Sequence, residues 1–179
     1  LKRLHFVQID EFYPINPKQH NSFFDYVMKY YIKGFELDPE RALLINADKI
    51  KLAGGLSYTE VFPDNRIDLS LRNREAVSLQ ERIQQESIFR IDNWCTEYEN
   101  KVRQLGGIGF FLGGICPDGH IAFNTRGSDH NSTTRLTATN FETQAASAGD
   151  LGGIEVSRNR LVITVGLGTI TYNPDAVTI

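Results

Sequence analysis

The sequence predicts an α/β fold whose sheet is covered on both faces. Two observations carry that reading. Residues 4–9, 109–113 and 161–165 are short, almost uninterrupted apolar runs punctuated by Gly or charged residues, the pattern of strands buried on both sides. Residues 78–105 are polar overall, yet Ile83, Ile88, Ile91, Trp94, Tyr98, Val102 and Leu105 recur mostly at three- and four-residue steps, the spacing of one or two amphipathic helices laid on a sheet. With 179 residues, 41% of them hydrophobic and 23% charged, the chain has the size and composition of a single domain, 1–179, with a sizeable core.

Taken in order, residues 4–9 read as the first buried strand. Residues 22–31 read as helical, with an aromatic face of Phe23, Phe24, Tyr26, Tyr30 and Tyr31. Residues 46–73 hold Gly54-Gly55 and Pro63-Asp64-Asn65 among scattered charges and read as an irregular excursion. The long helical stretch follows, then the strands at 109–113 and 161–165. The first residue is Leu1, the one methionine is Met28, and apolar runs lie close to both ends. The expectation is a sheet incomplete at both ends, in a piece of a longer chain.

Composition excludes several function classes. The net charge is −3, from 19 basic and 22 acidic residues, and no basic run is long enough to follow a phosphate backbone, so nucleic acid is not an expected partner. No apolar stretch approaches the ~20 residues of a membrane span and the start lacks a signal-type run, so no membrane partner and a cytoplasmic location are expected. Cys95 and Cys116 lack metal-ligand spacing, which argues against a structural zinc site and against a disulfide.

Ligands of open α/β sheets bind beyond the carboxyl ends of strands, and the residues found there carry chemistry. Asp10-Glu11 follows the first strand. Gly113-Gly114-Ile115-Cys116-Pro117-Asp118-Gly119-His120 follows the second, and Gly166-Leu167-Gly168-Thr169 the third. An Asp two residues before a His on a sharp turn suits a carboxylate that sets the tautomer and basicity of an imidazole. Equally weighted is an Asp118 that caps a helix starting near Gly119, with His120 merely packed. Asp10 has its own bland reading as a turn or N-cap residue. Clustering separates the readings: if the strands are neighbours, Asp10 and His120 converge at one sheet edge, as a base and an acid/base for proton transfer next to a carbonyl.

The run Phe111-Leu112-Gly113-Gly114-Ile115-Cys116-Pro117-Asp118-Gly119-His120-Ile121-Ala122-Phe123-Asn124 resembles the signature of the glucosamine-6-phosphate deaminases (isomerases). Val7-Gln8-Ile9-Asp10-Glu11-Phe12 is similar to the family's Asp-Glu-Tyr motif, and His20-Asn21-Ser22-Phe23 to the segment after it. Gly127-Ser128 through Ser132-Thr133-Thr134-Arg135 and the stretch from Leu161 to Ile170 resemble later family segments. The related phosphogluconolactonases share Asp-Gly-His but continue it differently.

The resemblance implies a three-layer, doubly wound, mostly parallel Rossmann-like fold acting on a phosphorylated amino sugar, with no metal or redox cofactor. It makes Asp10 the base that moves a proton between carbons 2 and 1, His120 the group that opens the sugar ring, and Asp118 its orienting partner. Gly114, Gly119, Asn124, Thr125 and Arg126 become substrate-binding candidates, and Gly166 and Gly168 close-packing turn residues. Ser128 and Arg135 match a phosphate or effector site of hexameric members; Thr137 replaces a Lys there, so that allostery is not expected, and Arg135 is equally read as a structural salt-bridge residue. Thr125 stands where the family has a Glu that assists the histidine, and an ungapped register puts Gly149 in place of a phosphate-binding Arg. Residues 46–79 exceed the corresponding family connection and read as an insertion.

The leading reading is therefore an enzyme converting glucosamine-6-phosphate to fructose-6-phosphate and ammonia. Beside it stand a catalytically impaired sugar-phosphate-binding or regulatory module, which the Thr125 and Gly149 departures invite, and a diverged sugar-phosphate isomerase or lactonase. A homo-oligomer or additional domains are left open.

Overall fold

The computed structural model describes residues 3–116 and 118–179; Leu1, Lys2 and Pro117, the last of them within the glycine-rich turn, lie outside the described residues. The fold is mixed α/β, built on three small sheets. Strand β1 (Phe6–Val7) pairs in parallel with β3 (Ala42–Leu43). Strand β4 (Phe110–Phe111) pairs in parallel with β7 (Val177–Thr178). The third sheet, three-stranded in the order β2-β6-β5, joins Asp10–Tyr13, Leu161–Thr164 and Arg135–Ala138.

That third sheet is antiparallel throughout, which differs from the expectation of one mostly parallel sheet. The physical reason lies in β6: all four of its residues are buried. Uniform apolarity reports coverage of both faces and says nothing of strand direction. Leu161 and Ile163 join the main core with Tyr13 and Leu136, while Val162 packs on the other side with Phe12, Phe123 and Leu151.

The main core rests on one helix. Helix α3 (Leu79–Gln104) runs unbroken for 26 residues, with the Ser78 side chain accepting a hydrogen bond from the Glu81 amide at its start. Its buried stripe is Ile88, Ile91, Cys95, Tyr98 and Val102, the three-four spacing read from the sequence. Lys101 and Arg103 sit in the last turn, where cations complement the helix dipole. Gly106 and Gly107 follow with φ of 86° and 83°, left-handed backbone that stops the helix at little cost for Gly.

Residues 46–73 contain only short turns of helix, including α2 (Tyr58–Val61) with a Ser57/Glu60 capping box. They are nevertheless part of the core. Leu52, Val61, Phe62 and Leu71 are buried against α3, and the Ser87 hydroxyl accepts a hydrogen bond from the Ala53 amide at 3.1 Å. At the other side of the molecule, the helical reading of residues 22–31 is met by α1 (Phe23–Tyr26), continued as wider π-helical turns over Val27–Lys33. Helices α4 (Phe141–Leu151) and α5 (Ile154–Asn159) pack on each other, and α6 (Leu167–Ile170) follows β6.

Candidate active site

A cleft of about 650 Å³ opens between the start of β2, the glycine-rich turn after β4, the β2–α1 connection and one face of α4. Asp10, Gly114, Asp118 and His120 all line it. The convergence expected of Asp10 and His120 is present, though by a different route. Strands β1 and β4 do not pair with each other; both chemical segments are fastened to β6 instead. Asp10 lies opposite Thr164 in the β2–β6 register. The Thr164 hydroxyl accepts from the Phe123 amide at 3.1 Å, and Asn124 Nδ2 donates to the Val165 carbonyl at 2.9 Å. The Val165 amide in turn donates to the Ile9 carbonyl at 2.8 Å.

Asp118 Oδ1 lies 2.6 Å from His120 Nδ1. A carboxylate only accepts, so Nδ1 carries the proton and Nε2 is left as the free basic nitrogen. The imidazole is buried and stacks on Phe123, with ring centroids 6.2 Å apart. Hydrogen bonding from His120, then from the Asn140 side-chain amide, holds the Asp118 carboxyl below its ordinary range. Asn140 is the N-cap of α4, its Oδ1 accepting from the Thr143 amide at 3.0 Å. The helix cap therefore braces the Asp-His pair. No helix starts near Gly119: the Ile115–Ile121 and Ile121–Asn124 bridges follow the turn instead, which removes the reading of Asp118 as a cap.

Asp10 has the opposite character. Its carboxylate receives no hydrogen bond from the described residues, whereas its neighbour Glu11 accepts four. Burial, and secondarily the Glu11 charge, push the Asp10 carboxyl up to about 7. A carboxylate that binds a proton near neutrality suits a general base in this pH range. Cys116 also lines the cleft, but burial and the charges of Asp118 and Asp10 push its thiol up, away from nucleophilic reactivity.

The remaining candidates lie outside the cleft lining. Asn124 commits its amide to the Ile121 and Val165 carbonyls and its Oδ1 to Arg135 at 2.9 Å, so it is a brace in place of a substrate ligand. Gly119 holds φ at 83° and shapes the turn. Thr125 and the exposed Arg126 face elsewhere. Arg135 approaches Ser128 Oγ at 3.3 Å and has no carboxylate partner among the described residues, so the salt-bridge reading of this residue does not hold. Gly166 is a close-approach position, because a Cβ there would strike the Ser132 carbonyl.

Several groups of the cleft were not read from the sequence as site residues. His20 and Asn21 contribute from the β2–α1 connection, and Glu142, Thr143, Ser147 and Asp150 from α4. The spacing 143, 147, 150 puts one face of a helix on the cleft, a helical signal that only the fold identifies as a wall. Among the described residues, the lining includes the carboxylates of Asp10, Asp118, Glu142 and Asp150 and neither Lys nor Arg.

No family model matches the chain. Among curated proteins, a glucosamine-6-phosphate deaminase of Borrelia hermsii is 43% identical over 95 residues, 51% of this chain and 34% of the relative. A glucosamine-6-phosphate isomerase of Candida albicans is 40% identical over 89 residues, and glucosamine-6-phosphate deaminase 2 of Homo sapiens 45% over 80, covering 36% and 28% of those proteins. Over the matched half, the chain is similar to glucosamine-6-phosphate deaminases and isomerases. The match spans about a third of the length of these relatives. The solved structure of a monomeric glucosamine-6-phosphate deaminase shares the fold over 92% of this chain and 52% of its own, with a TM-score of 0.60 at 22% identity.

Proposed function

We propose that this chain carries the proton-transfer site of an amino-sugar phosphate isomerase/deaminase that turns glucosamine-6-phosphate and water into fructose-6-phosphate and ammonia. The observation that carries the reading is the pairing, in one cleft, of an undonated Asp10 carboxyl that titrates near neutrality with a His120 whose tautomer is set by Asp118. In this reading His120, through Nε2, moves the proton that frees the ring oxygen and opens the pyranose. Asp10 then takes the proton from carbon 2 of the open-chain aldehyde, the electron pair passing to carbon 1 and its oxygen to give an enolamine. Return of a proton at carbon 1 leaves a carbon-2 imine, which water hydrolyses to the ketone with loss of ammonia. Gly114 lets the sugar approach the turn, and Arg135 with Ser128, outside the cleft, forms a candidate phosphate or effector contact. The small sheets belong to a doubly wound, three-layer arrangement forming one domain over 1–179, acting in the cytoplasm. Among the described residues no helix is long and apolar enough to cross a membrane.

One observation favours a second reading. With four carboxylates and, among the described residues, no Lys or Arg on the cleft wall, the phosphate meets no ammonium or guanidinium there, which suits a binding module without turnover. Glucosamine-6-phosphate in heavy water separates the two. Loss of the carbon-2 proton signal together with ammonia release supports the enzyme, and ligand-dependent thermal stabilisation with neither signal supports the binding module.

A further inference from the structure

Resting on that reading of Asp10 as the base, we infer that Glu11 is a positioning residue for it: a buried carboxylate, unpaired with any cation among the described residues, that fastens the cleft wall to the base-bearing strand and sets a negative charge beside the base. Adjacent residues of a strand face opposite ways, so Asp10 lines the cleft while Glu11, 1% exposed, is buried behind it. Its two oxygens accept from the Phe12 amide at 2.9 Å, the Ser22 hydroxyl at 2.7 Å, the Phe23 amide at 3.1 Å and the Phe24 amide at 2.7 Å. One side chain thus joins β2 to the start of α1 and closes the connection that places His20 and Asn21 in the cleft.

The four donors are neutral, and none of the ion pairs among the described residues involves Glu11. The charge is therefore solvated by dipoles without being cancelled, one residue from Asp10. Burial still pushes the Glu11 carboxyl up, with the four hydrogen bonds opposing. The Tyr98 phenol from α3 and the Cys116 thiol lie close to Asp10, and Asp118 and His120 from the turn after β4, His20 from the β2–α1 connection and Glu142 and Asp150 from α4 share its cleft; among the described residues none of the lining is Lys or Arg. A fixed negative charge in such surroundings disfavours ionisation of its neighbour.

The test is made on the whole protein with Glu11→Gln, which keeps the shape and removes the charge, and with Glu11→Asp, which keeps the charge and shortens the reach. The titration of the Asp10 carboxyl is followed by carbon-13 NMR without ligand, so it is read whether or not the sugar turns over. In Glu11→Gln it is expected to fall by about one unit, with the acid limb of carbon-2 exchange moving down alongside. An unmoved titration in a folded Glu11→Gln protein overturns the charge role. In Glu11→Asp the titration should stay within a few tenths of a unit while exchange slows by about tenfold; unchanged exchange overturns the positioning role, and a titration that falls to the ordinary Asp range overturns the charge role even if Glu11→Gln fails to fold. Wild-type protein that shows the raised titration but no exchange counts against the sugar reading alone and leaves the ligand-free comparison to decide the role of Glu11.

Discussion

Glu11 and Glu99 are both buried carboxylates satisfied mainly by amides and hydroxyls, yet they do opposite things. Glu99, on α3, accepts from the Thr134 amide and hydroxyl at 3.1 and 2.8 Å and from Thr169 Oγ1 at 2.7 Å, and it pairs with Arg103 at 2.8 Å. Burial raises its carboxyl, but the bonds from Thr169, Arg103 and Thr134 outweigh that and hold it below the ordinary range. Glu11 has as many donors and no cation, and its carboxyl is pushed up. Both carboxylates fasten segments together, but Thr169, Arg103 and Thr134 jointly hold Glu99 low, whereas Glu11, with neutral donors alone, keeps a charge that no cation offsets among the described residues. In a medium of low effective dielectric, dipoles stabilise a charge locally but leave its influence on a neighbour largely intact.

The strongest way to break this comparison is Asp10→Asn. An amide cannot accept the carbon-2 proton, so deuterium exchange at carbon 2 should fall by about 10²–10⁴-fold; exchange near the wild-type rate would show that Asp10 is not the base. The same variant reads the raised Asp10 carboxyl through stability. The folded protein holds the Asp10 proton more tightly than the unfolded chain does, so stability is lost as pH rises from about 4 to about 7. Asp10→Asn should therefore unfold later than wild type above pH 7, by on the order of 1–3 kcal/mol, with the gap closing towards pH 4 in urea titrations.

Next in size is Asp118→Asn, which replaces the acceptor-only carboxylate at His120 Nδ1 by a neutral amide that can also donate and so no longer fixes the tautomer; in the proposed reaction it should slow turnover of the cyclic sugar by about 10²-fold with little change in melting temperature. Glu99→Gln should do the reverse. It is expected to cost about 2 kcal/mol in urea denaturation at pH 7, while the pH dependence of carbon-2 exchange stays in place. Because the Glu99 carboxyl is held low, its contribution is present above the usual Glu range and lost as pH falls through its folded value, so the two proteins should converge in acid. A shift of the exchange profile in Glu99→Gln would erase the distinction between the two carboxylates. The smallest effect belongs to Gly119→Ala: at φ 83° in open space, the added methyl should cost about 1 kcal/mol of stability through backbone strain alone.

Local rules carried the sequence reading furthest where local forces decide. The apolar stripe of α3 was legible because helical periodicity is written in neighbouring residues, whereas the Ser78 cap and the stop at Gly106 were not read from the sequence. Asp10, Asp118, His120 and Gly114 were legible as acids, a base and a glycine at strand ends. The antiparallel course of β6 was not, because its four buried residues look the same in either direction. The brace at Asn140 was not, because it acts 22 positions away from Asp118. Asn124 illustrates the converse: a polar residue beside the Asp-Gly-His motif looks like a ligand until the Ile121, Val165 and Arg135 contacts engage both its amide nitrogen and its oxygen. Residues 46–73 looked like an excursion because their apolar residues follow no single period, and Val61, Phe62 and Leu71 are buried from separate short turns.

The anchoring of both chemical segments on β6 has a consequence for how the site can be re-tailored. Phe123 and Asn124 hold the histidine segment to Thr164 and Val165, and the Asp10 strand is held to the same two residues. The spacing between Asp10 and His120 is thus fixed by residues that lie outside the cleft lining, Thr164 and Val165, while the opposite wall hangs on α4. A library that varies Glu142, Thr143, Ser147 and Asp150 and spares β6 would change the shape of the cleft while leaving Asp10 and His120 in register.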